Sequence, residues 1–236
     1  MQILYEDNHL IVVNKACGEL VQGDATGDKP LSELLKDFLK EKYGKPGNVF
    51  VGVTHRLDRP TSGVVIFAKT SKALERMNRL FQAGEVHKTY HAIVCTPPPV
   101  EHNVLHHWLR RDPKLNKSFV VNTSGRGRNN PDVKEAKLEY RLIGRSDRYS
   151  LLEIRLFTGR HHQIRAQLAS LGCSIKGDLK YGAPRSNPDG GISLHARSVQ
   201  FMHPVRREPI FIEAPYPAQP SLWAEFTPIT PAPWTE

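Results

Sequence analysis

A carboxylate lies between two guanidinium groups in the stretch THRLDRPTSGVVIFAKT, residues 54–70. Arg56, Asp58 and Arg59 supply these charges, and Pro60 and Gly63 then shape the backbone that leads into an apolar run. An aspartate is ionised at neutral pH, and neighbouring arginines keep it charged and orient it. Two interpretations are open: a nucleophile or proton-transfer group beside a polyanionic substrate, or a polar loop with an incidental ion pair.

A second group of polar residues lies in LFTGRHHQIRAQLASLG, residues 156–172. Arg160 and Gln163 are near the start of a predicted helix, where the helix dipole and unpaired N–H groups favour a phosphate. Arg165 follows the apolar Ile164, at the border of the face that we expect to be buried. Its guanidinium can either reach a carboxylate across a cleft or lie on the surface of an amphipathic helix.

The charge of the chain favours a polyanionic partner. Thirty-three Lys and Arg against twenty-four Asp and Glu leave a net charge of +9, and cations that contact phosphates release condensed counterions. Between residues 106 and 130, Trp108 and Phe119 alternate with basic residues and can stack on bases. A solvated hairpin with a charged face is the alternative. The basic residues of this stretch are Arg110, Arg111, Lys114, Lys117, Arg126 and Arg128.

Several kinds of site have no support in the sequence. The three cysteines form no CxxC pair, and the histidine pairs at 106–107 and 161–162 lack ligand spacing, so we expect no metal site. There is no GxGxxG after a strand, no phosphate-binding P-loop and no GxSxG motif, so we expect no nucleotide cofactor. Without a signal peptide or an apolar run of about 20 residues, we expect a cytoplasmic protein that does not enter a membrane.

The elements that would position these residues are mainly strands. Periodicity predicts helices at residues 31–44, 70–84 and 161–172, the first with Leu31, Leu34, Leu35 and Phe38 on its buried face. The strands do not alternate strictly with these helices, which favours an α+β fold around a largely antiparallel mixed sheet flanked by helices. We expect a single domain over residues 1–236, with a peripheral, proline-rich tail at 225–236.

Four blocks of the sequence resemble the RluA-type pseudouridine synthases. The blocks keep the family's order over about 200 residues, and the opening hairpin ILYEDNHLIVVNK is also similar. Ala16 stands where the family usually has proline, and Gln167 replaces a histidine. Many relatives begin with a small RNA-binding domain, which we expect this chain to lack. The blocks are HRLDRPTSG at 55–63, HKTYHAIV at 87–94, FTGRHHQIRAQLASLGCSIKGDLKYG at 157–182 and SLHARSVQFMHP at 193–204.

The resemblance implies a role for each matched residue. Asp58 matches the catalytic aspartate, Arg165 the arginine that pairs with it, and Tyr90 the tyrosine that stacks on the target base. Arg56 matches the arginine that helps to displace the flipped nucleotide, and Leu194 the residue that lines the uracil pocket. The implied substrate-binding set is completed by His55, Arg160 and Gln163.

The same resemblance implies a fold with a central cleft and an enzyme that acts on transfer RNA, ribosomal RNA or both. We expect a monomer, because a single domain can supply the whole pocket. Three hypotheses follow. The chain is an RNA pseudouridine synthase, an RNA-binding or RNA-folding factor that does no chemistry, or a metal-dependent nuclease that uses the histidine pairs. The intact motifs favour the first hypothesis, and the ligand spacing does not support the third.

Overall fold

The computed structural model describes residues 1–24, 26–121, 130–218 and 221–235. These residues form three α-helices and twelve strands, and the first and last strand pairs of the sheet order are antiparallel. The prediction of an α+β fold with a largely antiparallel sheet is confirmed. The residues group into two compact units, and the single domain over residues 1–236 stays a prediction. Unit 1 is Met1–Lys88 with Ala196–Tyr216, and unit 2 is Thr89–His195 with Pro217–Glu236.

Unit 1 is built on two adjacent apolar strands. The register of β2 on β4 runs from Leu10 opposite Ala68 to Lys15 opposite Gly63. Apart from Asn14, both strands are buried throughout, as expected of interior strands. The strand order is β1–β2–β4–β10–β11, with β3 also paired to β4. The strands are β1 Gln2–Glu6, β2 Leu10–Lys15, β3 Gly52–Val53, β4 Ser62–Ala68, β10 Leu194–Met202 and β11 Pro209–Glu213. The first two residues of β10, Leu194 and His195, are counted with unit 2.

Two helices belong to unit 1, and α2 covers its main core. Helix α2, Ser71–Ala83, begins where the Thr70 hydroxyl accepts the Ala73 N–H at 3.1 Å and ends at Gly84 in the left-handed conformation. The sequence predicts Gly84 as the end and leaves Thr70 or Ser71 open as the cap, and the structure shows that Thr70 is the cap. Its Ala73 and Met77 pack against a core cluster that also contains Leu10, Val12, Val64, Ile66, Val199, Phe201, Ile210 and Ile212.

Helix α1, Leu31–Lys42, begins as predicted but buries a different face. Leu31, Leu35 and Leu39 are buried, whereas Leu34 is exposed and Phe38 is half-buried. The buried residues are four apart, which places them along one line of the helix. The prediction that Leu34 belongs to the core is therefore wrong, because it lies about a quarter turn away from that line.

Unit 2 is dominated by three long antiparallel strands. Strand β8 pairs with β6 from Val133 opposite Arg110 to Arg141 opposite His102, and its other edge pairs with β9. Helix α3, Gln163–Ser170, packs on the core cluster that includes Leu109 and Ala136. The strand order is β5–β9–β8–β6–β7, with β12 also on β8. The strands are β5 His87–Val94, β6 His102–Asp112, β7 Lys117–Val121, β8 Val133–Arg145, β9 Ser150–Leu156 and β12 Thr227–Pro228.

The proline-rich tail, which we expected to be peripheral, is part of unit 2 and contacts its sheet. The Trp234 ring lies 4.2 Å from the Arg141 guanidinium carbon and 4.0 Å from that of Arg155, a double cation–π contact. The N–H and hydroxyl of Thr235 both donate to the buried Glu139 carboxylate, at 2.6 and 2.7 Å. These contacts dock the tail because they satisfy charged groups of the sheet.

The three helices have 12, 13 and 8 residues. A helix that crosses a bilayer needs about 20 predominantly apolar residues. Within the part of the chain that the structure describes, none is long and apolar enough to do so.

Candidate active site

The Asp58 segment of unit 1 is a tight turn that leads into β4. The Asp58 carbonyl accepts the Thr61 N–H at 3.0 Å, and the Arg59 carbonyl accepts the Gly18 N–H at 3.0 Å. The preceding Leu57 is buried, whereas Arg56 is exposed. The turn therefore has a fixed backbone, and the arginine two residues before the aspartate lies at the surface.

A buried lysine stabilises this turn by donating hydrogen bonds to backbone carbonyls. Lys15 is fully buried, and its Nζ donates to the carbonyls of Ala16 at 3.0 Å, Arg59 at 3.0 Å and Thr61 at 2.7 Å. Burial lowers the pKa of Lys15 to about 8, and the nearby charge of Asp58 partly opposes that change. Sequence reasoning missed this residue, although a lysine directly after the buried run LIVVN was a visible signal.

The exit of the turn requires a glycine. Gly63 has φ +115°, a conformation that side chains rarely adopt, and a Cβ atom there would lie 2.3 Å from the Ala196 carbonyl oxygen. The close approach of the two backbones fixes the start of β4 next to β10 within unit 1. The Asp58 turn is thus held by Lys15 at its centre and by Gly63 at its end.

His55 anchors the beginning of the segment through β4. Its Nε2 accepts the Ile66 N–H at 3.0 Å, and the Thr54 hydroxyl donates to the Ile66 carbonyl at 2.7 Å. Burial, with a smaller contribution from the charge of Lys88, lowers the pKa of His55 to about 3. The imidazole is therefore neutral, packs 4.9 Å from the Phe81 ring, and extends the strand by side-chain hydrogen bonds.

Arg59 has a protein partner at the surface. Its Nη2 donates to Asp28 at 2.6 Å, and both side chains are about half exposed. The sequence alone leaves two roles open for Arg59, a phosphate contact and a surface contact. An exposed ion pair of this kind is worth little to stability, so the contact leaves Arg59 able to exchange Asp28 for a phosphate at low cost.

In unit 2, Arg165 forms a two-point ion pair with Asp178. Its Nε donates to Asp178 Oδ2 at 2.7 Å and its Nη2 to Oδ1 at 2.8 Å, and both side chains are buried. The Tyr181 ring lies 5.0 Å from the guanidinium carbon. Sequence reasoning missed Asp178, although it stands in the GDLKYG loop that follows α3.

Gln163 serves as the first residue of α3 and as a local hydrogen-bond centre. Its Oε1 accepts from the Thr158 hydroxyl at 2.8 Å and from the Arg160 N–H at 3.0 Å, and its Nε2 donates to the Lys137 carbonyl at 3.1 Å. Arg160 uses its Nε to bind the Glu135 carbonyl at 2.8 Å, with the rest of the side chain exposed. Helix α3 begins at Gln163, two residues later than predicted, because His162 has a positive φ of 52°.

The adjacent histidines His161 and His162 pack together with Tyr181. Their rings stack with centroids 3.8 Å apart, and His162 Nδ1 lies 3.0 Å from the Tyr181 hydroxyl. Burial, followed by the positive charge of Arg165, lowers the pKa of His162 to about 2. Across residues 1–24, 26–121, 130–218 and 221–235, no three potential ligands come together in a way that can hold a metal ion.

Tyr90 and Leu194 are buried in unit 2, on β5 and β10. The next residue along β5, His91, lies 3.5 Å from Glu153 of β9, and Glu153 also accepts from Arg141 at 2.7 Å.

Of the site residues that we predicted, three lie in unit 1 and five in unit 2. Those in unit 1 are His55, Arg56 and Asp58, and those in unit 2 are Tyr90, Arg160, Gln163, Arg165 and Leu194. That they act together stays a prediction.

A family model described as RNA pseudouridylate synthase matches residues 9–170. The chain belongs to this family. The matched residues include Asp58, Tyr90 and Arg165, and the resemblance to the RluA-type enzymes is confirmed. Leu194 lies beyond the matched range, so its role depends on the separate motif SLHARSVQFMHP.

Individual relatives of the pseudouridylate synthase family match almost the whole chain. Ribosomal large subunit pseudouridine synthase D of Xylella fastidiosa is 34% identical over 92% of this chain. The chain spans about two thirds (66%) of that relative's length. The tRNA pseudouridine synthase C of Vibrio cholerae is 33% identical, covering 91% of this chain and 90% of its own.

A solved structure shares the fold. Human RNA Pseudouridylate Synthase Domain Containing 4 has a TM-score of 0.76 and 24% identity, covering 92% of this chain and 88% of its own. At that identity the similarity concerns the fold alone.

Proposed function

We propose that this chain is an RNA pseudouridine synthase that isomerises specific uridines in structured RNA, namely transfer RNA, ribosomal RNA or both. The main support for the proposal is the turn around Asp58, whose backbone is fixed by neighbouring residues. In a chain of this family, that turn is fixed by the fully buried Lys15 and by Gly63, at the position of the family's catalytic aspartate. A polar loop with an incidental ion pair would not need such support.

The reaction breaks the bond between ribose and the base nitrogen, rotates the base and rejoins it through carbon. It involves no net redox change. A target base inside a stem must first leave its stack, at a cost of a few kcal/mol. Stacking on an aromatic ring contributes about 1–3 kcal/mol per base, and we assign that role to Tyr90, with Leu194 as the apolar wall of the pocket.

We assign Asp58 the role of catalytic carboxylate and Arg165 that of its cationic partner. A carboxylate can attack the sugar, attack the base or remove a ribose proton. All three routes need an ionised and oriented carboxylate. A neighbouring guanidinium keeps the carboxylate charged and oriented in a site from which water is excluded. A proton finally leaves carbon 5 of the base, and its departure gives the reaction a direct readout.

The remaining residues of the predicted site divide by their protein contacts. Arg56 is exposed and we assign it to the RNA strand, together with the exposed part of Arg160. The Nε2 atom of His55 already has a partner inside the protein, and so do the side-chain amide oxygen and nitrogen of Gln163. We therefore revise their predicted roles: these two residues shape the site by holding β4 and the start of α3.

The basic stretch after residue 106 is assigned to the RNA backbone. Arg110, Arg111 and Lys114 are exposed on or next to the β6–β7 hairpin, and Lys117 lies 5.3 Å from the Phe119 ring. Arg126 and Arg128 lie outside the described residues.

We further propose that the protein is cytoplasmic and that it is a monomer. The proposal of a monomer follows because one chain contains every residue assigned here; light scattering of the purified protein checks its mass.

Release of tritium from RNA labelled at carbon 5 of uracil tests the proposal. We expect the wild type to release label from a transfer RNA pool or a ribosomal RNA pool, assayed separately. Asp58→Asn should lower the rate at least about 10³-fold while RNA binding persists. Asp28→Asn is the matched control, because it removes a surface carboxylate bound to the same turn, and its rate should stay within about twofold of the wild type.

Three outcomes contradict the proposal. A wild type that binds RNA without releasing label is a binding or folding factor. Cleavage of the RNA that stops when a chelator is added indicates a nuclease. Full turnover by Asp58→Asn removes the carboxylate from the mechanism.

A further inference from the structure

Asp178 lies in a loop whose backbone is fixed on both sides. Its N–H donates to the Ile175 carbonyl at 3.0 Å, and its own carbonyl accepts the N–H groups of Tyr181 and Ala183, each at 3.0 Å. The side chain is 1% exposed. A carboxylate held this way cannot move to follow a partner, so any group that binds it takes its position from the loop.

The residue before Asp178 explains why the loop follows this path. Gly177 has φ +89°, and a Cβ atom there would lie 2.6 Å from the Gly191 carbonyl oxygen and 2.7 Å from the Asn187 amide. Asn187 is itself held, accepting from Lys176 at 2.6 Å and donating to Ser193 at 3.1 Å. The loop is therefore packed against its neighbours with no space for adjustment.

The ion pair with Asp178 fixes the plane of the Arg165 guanidinium. Two parallel N–H···O bonds, from Nε and Nη2, determine both its position and its rotation. The ring of Tyr181 lies 5.0 Å from the guanidinium carbon and limits movement on that side. Because the loop fixes the Asp178 carboxylate, the guanidinium takes its plane from that loop.

We propose that Asp178 is a positioning residue that fixes the orientation in which Arg165 acts in the proposed reaction. The inference rests on the proposed function, in which Arg165 is the partner of Asp58. A role in stability alone is the competing explanation, because removing one partner of a buried ion pair leaves a buried charge uncompensated. The two explanations differ in what they predict for the rate of the chemical step in a variant that still folds.

Single-turnover tritium release at saturating RNA separates the two explanations. We expect Asp178→Asn to lower the rate about 100-fold, since a displacement of about 1 Å at a reacting group has that effect, while the dissociation constant for RNA stays within about twofold of wild type. Glu139→Gln is the matched control. Glu139 is an equally buried carboxylate of unit 2, bound to His102 and Thr235, and its variant should lose stability but keep the wild-type rate.

A double-mutant cycle tests whether Asp178 acts through Arg165. Arg165→Lys keeps the charge but cannot form two parallel bonds. If Asp178 works only by aiming the guanidinium, Arg165→Lys and the double variant have the same rate within about twofold. Where Asp178→Asn does not fold, as judged by near-ultraviolet circular dichroism, Asp178→Glu serves instead: it keeps the charge, shifts the carboxylate by one methylene and carries the same expected loss of rate.

The inference is overturned by a wild-type rate in a folded Asp178→Asn or Asp178→Glu variant, or by losses that add in the double variant. Failure of the proposed function looks different. It requires a wild type without tritium release, or an active Asp58→Asn. When the wild type is active and Asp58→Asn is not, the rates of the Asp178 variants decide this inference alone.

Discussion

Unit 1 and unit 2 fix their charged site residues in different ways. In unit 1 the backbone around Asp58 is held, because Lys15 donates to two carbonyls of the turn and Gly63 packs against Ala196. In unit 2 the side chain itself is held, because Asp178 binds two nitrogens of Arg165. A residue whose backbone is held can be substituted without disturbing the groups that hold it. The orientation of a residue whose side chain is held depends on the partner of that side chain.

Substitution of Gly63 should give the largest loss of stability, because it breaks the backbone support of unit 1. Gly63→Ala places a methyl group 2.3 Å from the Ala196 carbonyl oxygen at a φ of +115°. We expect the free energy of unfolding to fall by about 4 kcal/mol, the sum of conformational strain and overpacking. Urea denaturation measures this change.

Gly84→Ala is the control for Gly63→Ala. Gly84 also has a positive φ, of 74°, but no atom lies within 4 Å of the added methyl group. We expect a loss of only about 1 kcal/mol there. Equal losses for the two variants would mean that the contact with Ala196 does not support the turn.

Loss of the buried ammonium should have the next largest effect. Lys15→Met keeps most of the side-chain volume but leaves the carbonyls of Ala16, Arg59 and Thr61 without this donor. We expect the free energy of unfolding to fall by about 3 kcal/mol. Lys36→Met, which removes a partly exposed ion pair with Glu33, should change it by less than about 0.5 kcal/mol; similar values for both variants would contradict the proposed clamp.

A smaller loss is expected when the hydrogen-bond centre of unit 2 is removed. Gln163→Ala leaves the Arg160 N–H and the Lys137 carbonyl without their side-chain partner. Thermal and urea unfolding should show a loss of about 2 kcal/mol. Gln82→Ala, an exposed position on α2, serves as control and should be nearly neutral; a neutral Gln163→Ala would show that unit 2 does not depend on this network.

The two units should respond alike to mild acid. Burial holds the pKa of His55 near 3 and that of His162 near 2, so the unfolded chain binds protons that the folded chain does not. Stability therefore falls as pH drops below about 6.5, by about 1.4 kcal/mol per imidazole at pH 5.5. Comparing the free energy of unfolding at pH 7.5 and 5.5 in wild type, His55→Gln and His162→Gln checks this, and an unchanged pH dependence in either variant contradicts it for that residue.

The parts of the fold that could be predicted are those determined by local pattern. The opening hairpin, β4 and the two caps of α2 follow from apolar runs and from Thr70 and Gly84. Helix α1 shows the limit, because only the tertiary contacts decide that Leu39 and not Leu34 is buried. The start of α3 was missed for a similar reason: nothing in the residue types requires His162 to take a positive φ.

The motifs predict candidate site residues, but they do not reveal groups that meet through distant contacts. Asp58, Tyr90 and Arg165 come from the resemblance, and their catalytic roles stay a prediction. Lys15 binds carbonyls 44 and 46 residues away, and Asp178 binds an arginine 13 residues away. Spacing alone does not reveal such pairs, because loop geometry decides which groups meet.

The order in which the ribosome makes unit 1 follows from its division into two segments. Val199, Phe201, Ile210 and Ile212 complete the core under α2, yet they are synthesised only after unit 2's first segment, Thr89–His195. At 5–20 residues per second, that interval lasts roughly 5–20 seconds. During this time the nascent chain carries β2, β4 and α2 without the strands that cover their apolar side chains.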